Sequence, residues 1–336
     1  MWKAGDDVGR IRLVDLAQDL QVSVSTVSKA LADSAEISLE TRSRVRSRAG
    51  ELGYRPNGTA RRLRTGATRA IGLVSHDTIG WQSLPVLLGA EEAFGAEETA
   101  VLLSDGRGDP VRTEHHIRTL LDHGVDGLIS LAHSTDDQAS LGALGVPVVY
   151  AYGASDSDAD YSVVPDEAKG AREAVELLIG LGRTRIGHVA GPDSYAATRR
   201  RARAAGQVLH EHGLDFAGGR PLLGEWTEQW GRAGTDRLLD QVPDLDGLFC
   251  GSDAIARGAL DTLARRGRSV PGDVAVIGYD NWEALAVGSE PALTTVDMNL
   301  REVGRSAAEG LARLIGGEPL RGVVRLDSAL VVRRSA

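Results

Sequence analysis

Cysteine and long apolar runs are nearly absent from this sequence, and their absence excludes several classes of protein. The single cysteine, Cys250, lies in an apolar run with Leu248 and Phe249, so we expect a small buried side chain and no disulfide framework. No stretch approaches the roughly 18 apolar residues of a membrane span, and residues 1–7 contain no apolar signal segment. We therefore expect a cytoplasmic protein that has no membrane partner.

The sequence also lacks a convincing set of catalytic or metal-binding side chains. His115, His116 and His123 fall on one predicted helix without a cysteine partner, so we interpret them as surface residues. Gly106 and Gly108 follow a predicted strand, but the third glycine of a dinucleotide-binding loop is missing. We therefore expect no enzyme: no catalytic residue, no metal ion and no cofactor.

Charge is divided unevenly along the 336 residues, whose formal net charge is -9. Residues 1–69 contain 13 Lys and Arg against 8 Asp and Glu, a balance of +5, which leaves -14 for the remainder. Between residues 42 and 69, nine arginines stand against one acidic residue, Glu51. Such a segment attracts a polyanion by releasing its counterions, and the alternative is a solvated helix face.

Residues 1–69 contain the pattern of three short helices. Apolar residues recur at helical spacing between residues 11 and 20, which predicts the first helix. Ser23 can cap a second helix over Val24–Leu31. Ser38 can cap a third helix that stops at Gly53, a residue type that adopts the left-handed conformation at low cost. Three short helices with a tight turn between the first two predict a helix-turn-helix unit.

The remainder of the chain alternates short apolar runs with helical stretches. This pattern predicts two parallel sheets, each flanked by helices. The predicted strands lie within residues 71–74, 100–103, 127–130, 146–150, 185–190, 247–250 and 274–279.

Several segments of the N-terminal part resemble the LacI/GalR family of lactose- and galactose-repressor-type regulators. The matching segments are VSVSTVSKAL (22–31), TR (41–42), LGYRPN (52–57) and ARRLRTG (60–66), followed by the strand IGLV (71–74). The resemblance covers nearly the whole chain. It implies an all-α helix-turn-helix head followed by an α/β bilobed, periplasmic-binding-protein-like domain with a ligand cleft between its lobes.

The same resemblance implies how the chain is divided. We expect a DNA-binding head over residues 1–56, a hinge helix and linker over 57–69, and a bilobed effector-binding and dimerisation domain over 70–336. In this fold the chain crosses between the lobes more than once. We expect lobe one at about 70–160 plus 291–321 and lobe two at about 161–290 plus 322–336.

Two contacts with DNA follow from the resemblance. The helix Val24–Leu31 enters the major groove, where Lys29 can donate to guanine and Val24 can contact a thymine methyl group. The segment after Pro56 becomes a hinge helix in the minor groove, where Leu63 wedges between base steps unless it is only a linker residue. The implied DNA-binding residues are Ser23, Val24, Ser25, Thr26, Ser28, Lys29, Tyr54, Asn57, Ala60, Arg61 and Leu63.

Two positions of the head depart from the family pattern. Arg12 stands where a threonine cap is usual, and Gln21 stands where a turn glycine is common. We expect the turn to be strained by about 1 kcal/mol without abolishing the unit.

Ligands of open α/β sheets bind beyond the carboxyl ends of the strands, and the resemblance places effector contacts there. Asp280 can accept from two sugar hydroxyls or can cap a helix, and Arg203 is either the effector arginine or a surface charge. Trp226 can stack on a sugar ring or form a core stripe with Trp230. The expected effector-binding residues are His76, Gln82, Tyr152, Arg203, Trp226, Ser252 and Asp280.

Together these features predict a sequence-specific DNA-binding transcriptional regulator, a repressor whose operator affinity is controlled by a small polar effector. A mono- or oligosaccharide is favoured over a nucleobase or an amino-acid-like effector. The alternative is a sugar-binding module without a regulatory role, which would have no use for a basic head.

The expected partners are double-stranded DNA with a palindromic operator, the effector, and further copies of the chain. We expect a homodimer or a tetramer, because one short recognition helix reads only a few base pairs. The expected contact surfaces are the helices near residues 84–94, 110–123 and 255–266.

Overall fold

The computed structural model describes residues 11–31, 33–54, 68–76, 80–95 and 99–336. The chain divides into two compact units, Met1–Thr68 and Arg69–Ala336, which we call the head and the body. Within the described ranges, no helix has the length and apolar character that crossing a membrane requires.

The head contains the three short helices that the sequence predicts. They are α1 (Leu13–Asp19), α2 (Val24–Leu31) and α3 (Leu39–Glu51). One apolar face of each helix packs into a common core, which removes these faces from water and holds the three helices together. The buried core residues are Leu16, Ala17, Val27, Ala30, Val45 and Ala49.

The predicted helix ends of the head are confirmed. The Ser23 hydroxyl accepts from the backbone N–H of Thr26 at 3.0 Å. The Ser38 hydroxyl accepts from the N–H of Thr41 at 3.2 Å, and Gly53 after α3 has a φ of 64°. Each cap satisfies backbone groups that the helix itself leaves unpaired.

Both departures from the family pattern are accommodated locally. Arg12 precedes α1, and its backbone N–H donates to the Asp15 carboxylate at 2.8 Å, so the helix start is stabilised from within its first turn. Gln21 has a φ of 52° in the turn between α1 and α2. This left-handed conformation costs a non-glycine residue about 1 kcal/mol, as expected for this turn.

Strands and helices alternate through the body. Its strands are β1 (Ala70–Ser75), β2 (Ala100–Asp105), β3 (Gly127–Leu131), β4 (Val148–Ala151), β5 (Tyr161–Asp166), β6 (Ile186–Ala190), β7 (Leu222–Leu223), β8 (Gly247–Cys250), β9 (Ala275–Asp280), β10 (Thr294–Asp297), β11 (Gly322–Asp327) and β12 (Ala329–Val331). Its helices are α4 (Ser83–Phe94), α5 (Pro110–His123), α6 (Glu167–Gly180), α7 (Ala196–Glu211), α8 (Glu228–Gln241), α9 (Asp253–Arg265), α10 (Glu283–Ala286) and α11 (Leu300–Ile315).

The strands form two six-stranded sheets, which confirms the predicted α/β architecture. The first sheet has the order β11-β5-β4-β3-β1-β2, and the second has the order β12-β10-β9-β8-β6-β7. All neighbours are parallel except β12, which runs antiparallel to β10 at the edge of the second sheet. Cys250 is buried in β8, as expected, and burial raises the pKa of its thiol.

Strand pairing moves the lobe boundaries away from those expected. The strand β5, expected in lobe two, pairs with β4 in the first sheet, and β11 pairs with β5 there as well. The strand β10, expected in lobe one, pairs with β9 in the second sheet. The chain therefore crosses between the sheets three times, directly after Asp166, Asp297 and Asp327. Hydrogen bonding between strands far apart in sequence decides which sheet each strand joins. The local sequence pattern of a strand does not indicate its partner.

Two glycines let helices α4 and α11 cross closely on the first sheet. A Cβ added to Gly89 would overlap the backbone carbonyl oxygen of Arg301, and one added to Gly304 would overlap that of Val86. The close crossing fixes the start of α11 beside the middle of α4, near the second crossing between the lobes.

A buried histidine lies at the centre of β6. The Nδ1 of His188 lies 2.8 Å from the carbonyl oxygen of Phe249, so Nδ1–H donates to it. The ring stacks on Phe249 and Phe216, with centroids at 4.6 and 5.8 Å. Burial lowers the pKa of His188 to about 4, from an ordinary value of 6.5.

This lowered pKa predicts a loss of stability in acid. The unfolded chain takes up a proton near pH 6.5 and the folded chain only near pH 4, so the free energy of unfolding should fall by up to about 3 kcal/mol across that interval. Gln at position 188 can keep the bond to Phe249 but does not titrate, so His188→Gln should flatten this part of the pH profile. Urea unfolding between pH 7 and pH 4 measures it, with His123→Gln at an exposed position as the control. Identical profiles for the wild type and His188→Gln would contradict the assignment.

Candidate functional site

A cavity of about 270 Å³ lies in the body where strands of both sheets end, as expected for open parallel sheets. We call it the inner cavity. It is lined by Trp81, Gln82, His133, Ser134, Thr135, Tyr152, Tyr195, Ala197, Arg201, Trp226, Ser252, Ala254, Asp280 and Trp282. Five expected effector-binding residues are among them: Gln82, Tyr152, Trp226, Ser252 and Asp280.

The cavity arginine is Arg201, and the expectation for Arg203 requires correction. Arg203 is exposed, whereas the side chain of Arg201 is only 4% exposed. The two residues lie on one helix, α7, but two positions apart, which is a rotation of roughly 200° around the helix axis. Residues at the helical spacing of Ala197, Ala204 and Val208 are buried, and Arg201 shares their face. The phase of the helix therefore selects Arg201.

Arg201 is held by hydrogen bonds from both of its terminal nitrogens and by an aromatic ring. Its Nη2 donates to the Glu167 carboxylate at 2.8 Å, and its Nη1 donates to the carbonyl oxygen of Gly251 at 2.6 Å. Nη1 also lies 3.7 Å from the Asp280 carboxylate. The guanidinium stands 3.6 Å above the ring centroid of Tyr279, which is a cation–π contact. Burial disfavours the charge, but the surrounding Glu167, Tyr279 and Asp280 outweigh it and hold the pKa of Arg201 above its ordinary value.

Asp280 lies at the end of β9 in a strained conformation. Its φ is 111°, and Tyr152, directly after β4, has a φ of 72°. Such conformations cost of order 1–3 kcal/mol and are found preferentially at functional sites. Burial raises the pKa of Asp280 well above its ordinary value, and the Arg201 charge opposes this shift. Helix α10 begins after Trp282, so the alternative that Asp280 caps the helix following β9 does not hold.

The other expected cavity residues have identifiable structural contacts. Ser252 caps α9, since its hydroxyl accepts from the N–H of Ile255 at 3.2 Å. Gln82 donates from Nε2 to the carbonyl oxygen of His133 at 3.3 Å. His76 lies beside the cavity without lining it, and its Nε2 is 2.8 Å from the Ser130 hydroxyl. His76 is thus a neighbour of the cavity wall and not part of it.

The two candidate stacking tryptophans have different roles. Trp230 donates from Nε1 to the carbonyl oxygen of Ala190 at 2.8 Å and packs against the core of the second lobe. Trp226 lines the cavity, where Tyr195 meets it edge-on at 5.9 Å. An added Cβ at Gly191 would overlap the Trp226 ring, so a glycine is required for this ring position. The ring is therefore both packed and available to a ligand.

Sequence reasoning missed two tryptophans that close one side of the cavity. Trp81 precedes α4 of the first lobe, and Trp282 precedes α10 of the second. Their rings stack with centroids 5.9 Å apart and an interplanar angle of 18°. Three of the five tryptophans of this aromatic-poor chain line the cavity, so their scarcity was the available signal.

The inner cavity contains charged groups but no evident metal site. Among the residues that the structure describes, no group of three or more His, Cys, Asp or Glu side chains is placed to hold a metal ion. Asp253, below the cavity, accepts from the Thr295 hydroxyl at 2.6 Å and from the N–H of Trp282 at 2.8 Å. Burial raises the pKa of Asp253 to about 7. This carboxyl group fixes the backbone that carries Asp280 and Trp282.

In the head, helix α2 presents a small polar surface to solvent. Val24, Ser25 and Lys29 are exposed, as expected for a helix that reads the major groove. Lys29 forms an ion pair with Glu36, which it must leave to contact a base. Ser23 precedes the same helix, Thr26 and Ser28 lie within it, and Tyr54 packs against the head core. Asn57, Ala60, Arg61 and Leu63 lie outside the described residues.

Replacing each of two arginines of α7 by methionine should distinguish the contribution of the buried charge to stability from that of the surface charge. Arg201→Met leaves the buried Glu167 carboxylate with only the more distant Arg200, at 3.7 Å, and should lower the free energy of unfolding by up to about 3–5 kcal/mol. Arg203→Met at the exposed position should change it by less than about 0.5 kcal/mol. The double variant Arg201→Met/Glu167→Met should recover most of the loss. Urea unfolding measures all three, and equal effects of the two single variants would refute the placement of Arg201.

Comparison with known proteins agrees with both units. Residues 12–57 match the model described as bacterial regulatory proteins, lacI family, and residues 175–336 match a periplasmic binding protein-like domain. The HTH-type transcriptional regulator CelR of Thermobifida fusca is 33% identical, covering 94% of this chain and 95% of that protein. The ribose operon repressor of Haemophilus influenzae is 30% identical, covering 96% and 97%.

Solved structures show the same arrangement of the fold. A transcriptional regulator CelR–cellobiose complex has a TM-score of 0.67 and 30% identity, covering 97% of this chain and 100% of that one. A lac repressor dimer bound to operator has a TM-score of 0.78 at 24% identity, covering 97% and 99%, and at that identity shows the fold alone. The chain therefore belongs to the lacI family of bacterial regulatory proteins, a family of DNA-binding transcriptional regulators.

Proposed function

We propose that this regulator is a sugar-responsive repressor, in which a sugar in the inner cavity changes the affinity of the head for operator DNA. The observation that carries the sugar assignment is a charged pair surrounded by tryptophan faces. The pair is Arg201 and Asp280, and the tryptophans are Trp81, Trp226 and Trp282. Aromatic faces suit the C–H faces of a sugar ring, while a carboxylate and a guanidinium suit its hydroxyl groups.

Unsatisfied polar atoms at the cavity support a hydroxyl-rich ligand. Within the described ranges, the buried Nε of Arg201 and the buried hydroxyl of Thr135 have no hydrogen-bond partner. Each such atom costs about 1–3 kcal/mol relative to a satisfied one. Both residues line the inner cavity, so a polar ligand that moves either side chain and uncovers these buried atoms can recover part of this cost. The relative solved with cellobiose, a disaccharide, supports the same ligand class.

Response to the sugar follows from where the cavity lies. Its walls come from both lobes: Tyr152 follows β4 of the first sheet, whereas Ser252 and Asp280 lie at the ends of β8 and β9 of the second. A ligand that contacts both lobes binds one lobe arrangement better than another and so shifts the population between them. DNA affinity must then change by the same coupling factor.

The head supplies the proposed DNA contacts. The major groove is read by three exposed residues of α2, Val24, Ser25 and Lys29. The basic segment, residues 42–69, supplies the salt-dependent attraction to phosphates. We propose that residues 57–69 form the hinge, with Leu63 as the minor-groove wedge. We propose that the protein acts in the cytoplasm, where the DNA is. We assign no catalytic step to it.

A homodimer is proposed because two recognition helices related by a two-fold axis read a palindrome. Exposed apolar side chains on the helices expected at the contact support it. Leu88 on α4 is 39% exposed, and Val111 on α5 is 76% exposed. The whole assignment is tested by retardation of DNA: the full chain should shift palindromic DNA in a salt-dependent manner, and residues 70–336 alone should not.

Loss of the cavity carboxylate should uncouple the sugar from DNA. We expect Asp280→Ala to keep near wild-type operator affinity without ligand and to lose the change in affinity on adding ligand. In the wild type, typical couplings of about 1–3 kcal/mol correspond to a change in operator affinity of roughly 5- to 150-fold. Asp158→Ala at an exposed position is the control. DNA binding is titrated by fluorescence anisotropy against a panel of sugars and nucleosides. If the Asp280→Ala variant still left DNA at the ligand concentration that releases the wild type, the ligand pocket would lie elsewhere. If only nucleosides changed the DNA affinity of the wild type, the effector would be a nucleoside and not a sugar.

Removing either partner of the Lys29–Glu36 ion pair should have opposite effects on DNA affinity. Lys29→Ala should weaken binding to a palindrome selected from random-sequence DNA by roughly 1–3 kcal/mol, because a base contact is lost. Glu36→Ala should keep or raise affinity, since it frees Lys29 at a cost below about 1 kcal/mol and removes a charge that repels phosphate. Anisotropy titrations at several salt concentrations measure both. Equal losses in the two variants would mean that Lys29 serves only to pair with Glu36.

A further inference from the structure

A second, larger cavity adjoins the inner cavity. Its volume is about 710 Å³, and we call it the outer cavity. It is lined by Trp81, Leu84, Pro85, Asp280, Asn281, Trp282, Glu283, Ala284, Asp297, Asn299, Leu300 and Arg301. Trp81, Asp280 and Trp282 line both cavities, so these three residues are the wall between them.

The wall is a contact between the two lobes. The stacked rings of Trp81 and Trp282 come from helix starts on opposite lobes. Trp282 is 39% exposed, so one ring faces solvent on the outer side while the pair closes the inner cavity. Stacking of two aromatic rings is favourable beyond the area it buries, and a sugar ring stacked on either tryptophan can replace this contact.

The outer cavity offers the chemistry of a carbohydrate groove. Asn281 donates to the Asp297 carboxylate at 3.0 Å, and the N–H of Asn299 donates to the same carboxylate at 2.7 Å. These groups form a polar floor beside the tryptophan faces, and the close crossing of α4 and α11 holds it in place. Amides and carboxylates next to an aromatic face suit hydroxyl groups on a flat apolar ring.

Volume indicates that the inner cavity alone is small for the ligand. About 270 Å³ lies just below the range of roughly 300–1,000 Å³ that small-molecule sites occupy. The outer cavity brings the combined space into the upper part of that range. We propose that the effector is an oligosaccharide of at least two rings, with one ring in the inner cavity and the next ones passing the Trp81–Trp282 pair into the outer cavity. This inference rests on the sugar response proposed above.

The test blocks the outer cavity without touching the inner one. Ala284 lines only the outer cavity and lies on the exposed side of α10, so Ala284→Trp fills the space with a bulky ring. Val287, exposed directly after the same helix and lining neither cavity, provides the matched control Val287→Trp. Calorimetry on the full-length protein measures affinity for glucose, cellobiose, cellotriose and cellotetraose.

We expect wild-type affinity to rise from glucose to the longer sugars, and Ala284→Trp to remove roughly tenfold or more of the affinity for cellotriose and cellotetraose while leaving glucose unchanged. Val287→Trp should behave as wild type. Binding of short and long sugars with equal affinity, unaffected by Ala284→Trp, would overturn the two-cavity inference and leave the sugar response intact. Failure of the wild type to bind any of these four sugars or any sugar of the panel described above would overturn the sugar response itself.

Light scattering on the same samples separates a ligand groove from a subunit contact, since Leu84 of the outer cavity also lies on a helix expected at the dimer surface. An unchanged mass with altered sugar affinity supports the inference. A change in mass without altered sugar affinity would assign the outer cavity to the contact between two copies of the chain.

Discussion

The buried guanidinium of Arg201 is the group on which the arrangement of the body depends. It binds Glu167, the first residue after the first crossing between the lobes, and its Nη2 lies 3.5 Å from the sulfur of Met298, the first residue after the second crossing. The Tyr279 ring beneath it donates its hydroxyl to the carbonyl oxygen of Glu167 at 3.2 Å. One charge therefore contacts two of the three segments at which the chain crosses between the lobes.

A buried ion pair is a costly way to gain stability. Replacing such a pair with well-packed apolar side chains is often neutral or stabilising, because two charges must be taken out of water. The location of this pair points to function. Arg201 lines the inner cavity and touches the crossings, so a ligand that competes for its hydrogen bonds acts directly on the joints of the two lobes. Asp280 is the second charged partner of this arginine and stands on a strained strand end, so both charges that we propose to bind the ligand lie near the crossings between the lobes.

The three crossings share a further feature, since each follows an aspartate. Asp166 accepts from the N–H of Lys169 at 3.0 Å and caps α6, and the Lys169 side chain forms an ion pair with Asp327. Asp297 accepts from the N–H of Asn299 at the second crossing. At the first two crossings these carboxylates satisfy backbone N–H groups where strand pairing stops, whereas at the third Asp327 pairs with the Lys169 side chain.

Local signals in the sequence determined the elements of the fold and part of the site. Caps such as Ser23 and Ser38 act over three residues, and the position of Asp280 after an apolar strand already places it at a sheet edge. Tertiary structure alone decided which sheet receives β5, β10 and β11, because their hydrogen-bond partners lie far away in sequence. It also decided that α7 turns Arg201 inward and Arg203 outward, since two residues of helical phase depend on what packs against the helix. The stacking of Trp81 on Trp282 joins residues about 200 positions apart, and only the folded chain brings their rings together.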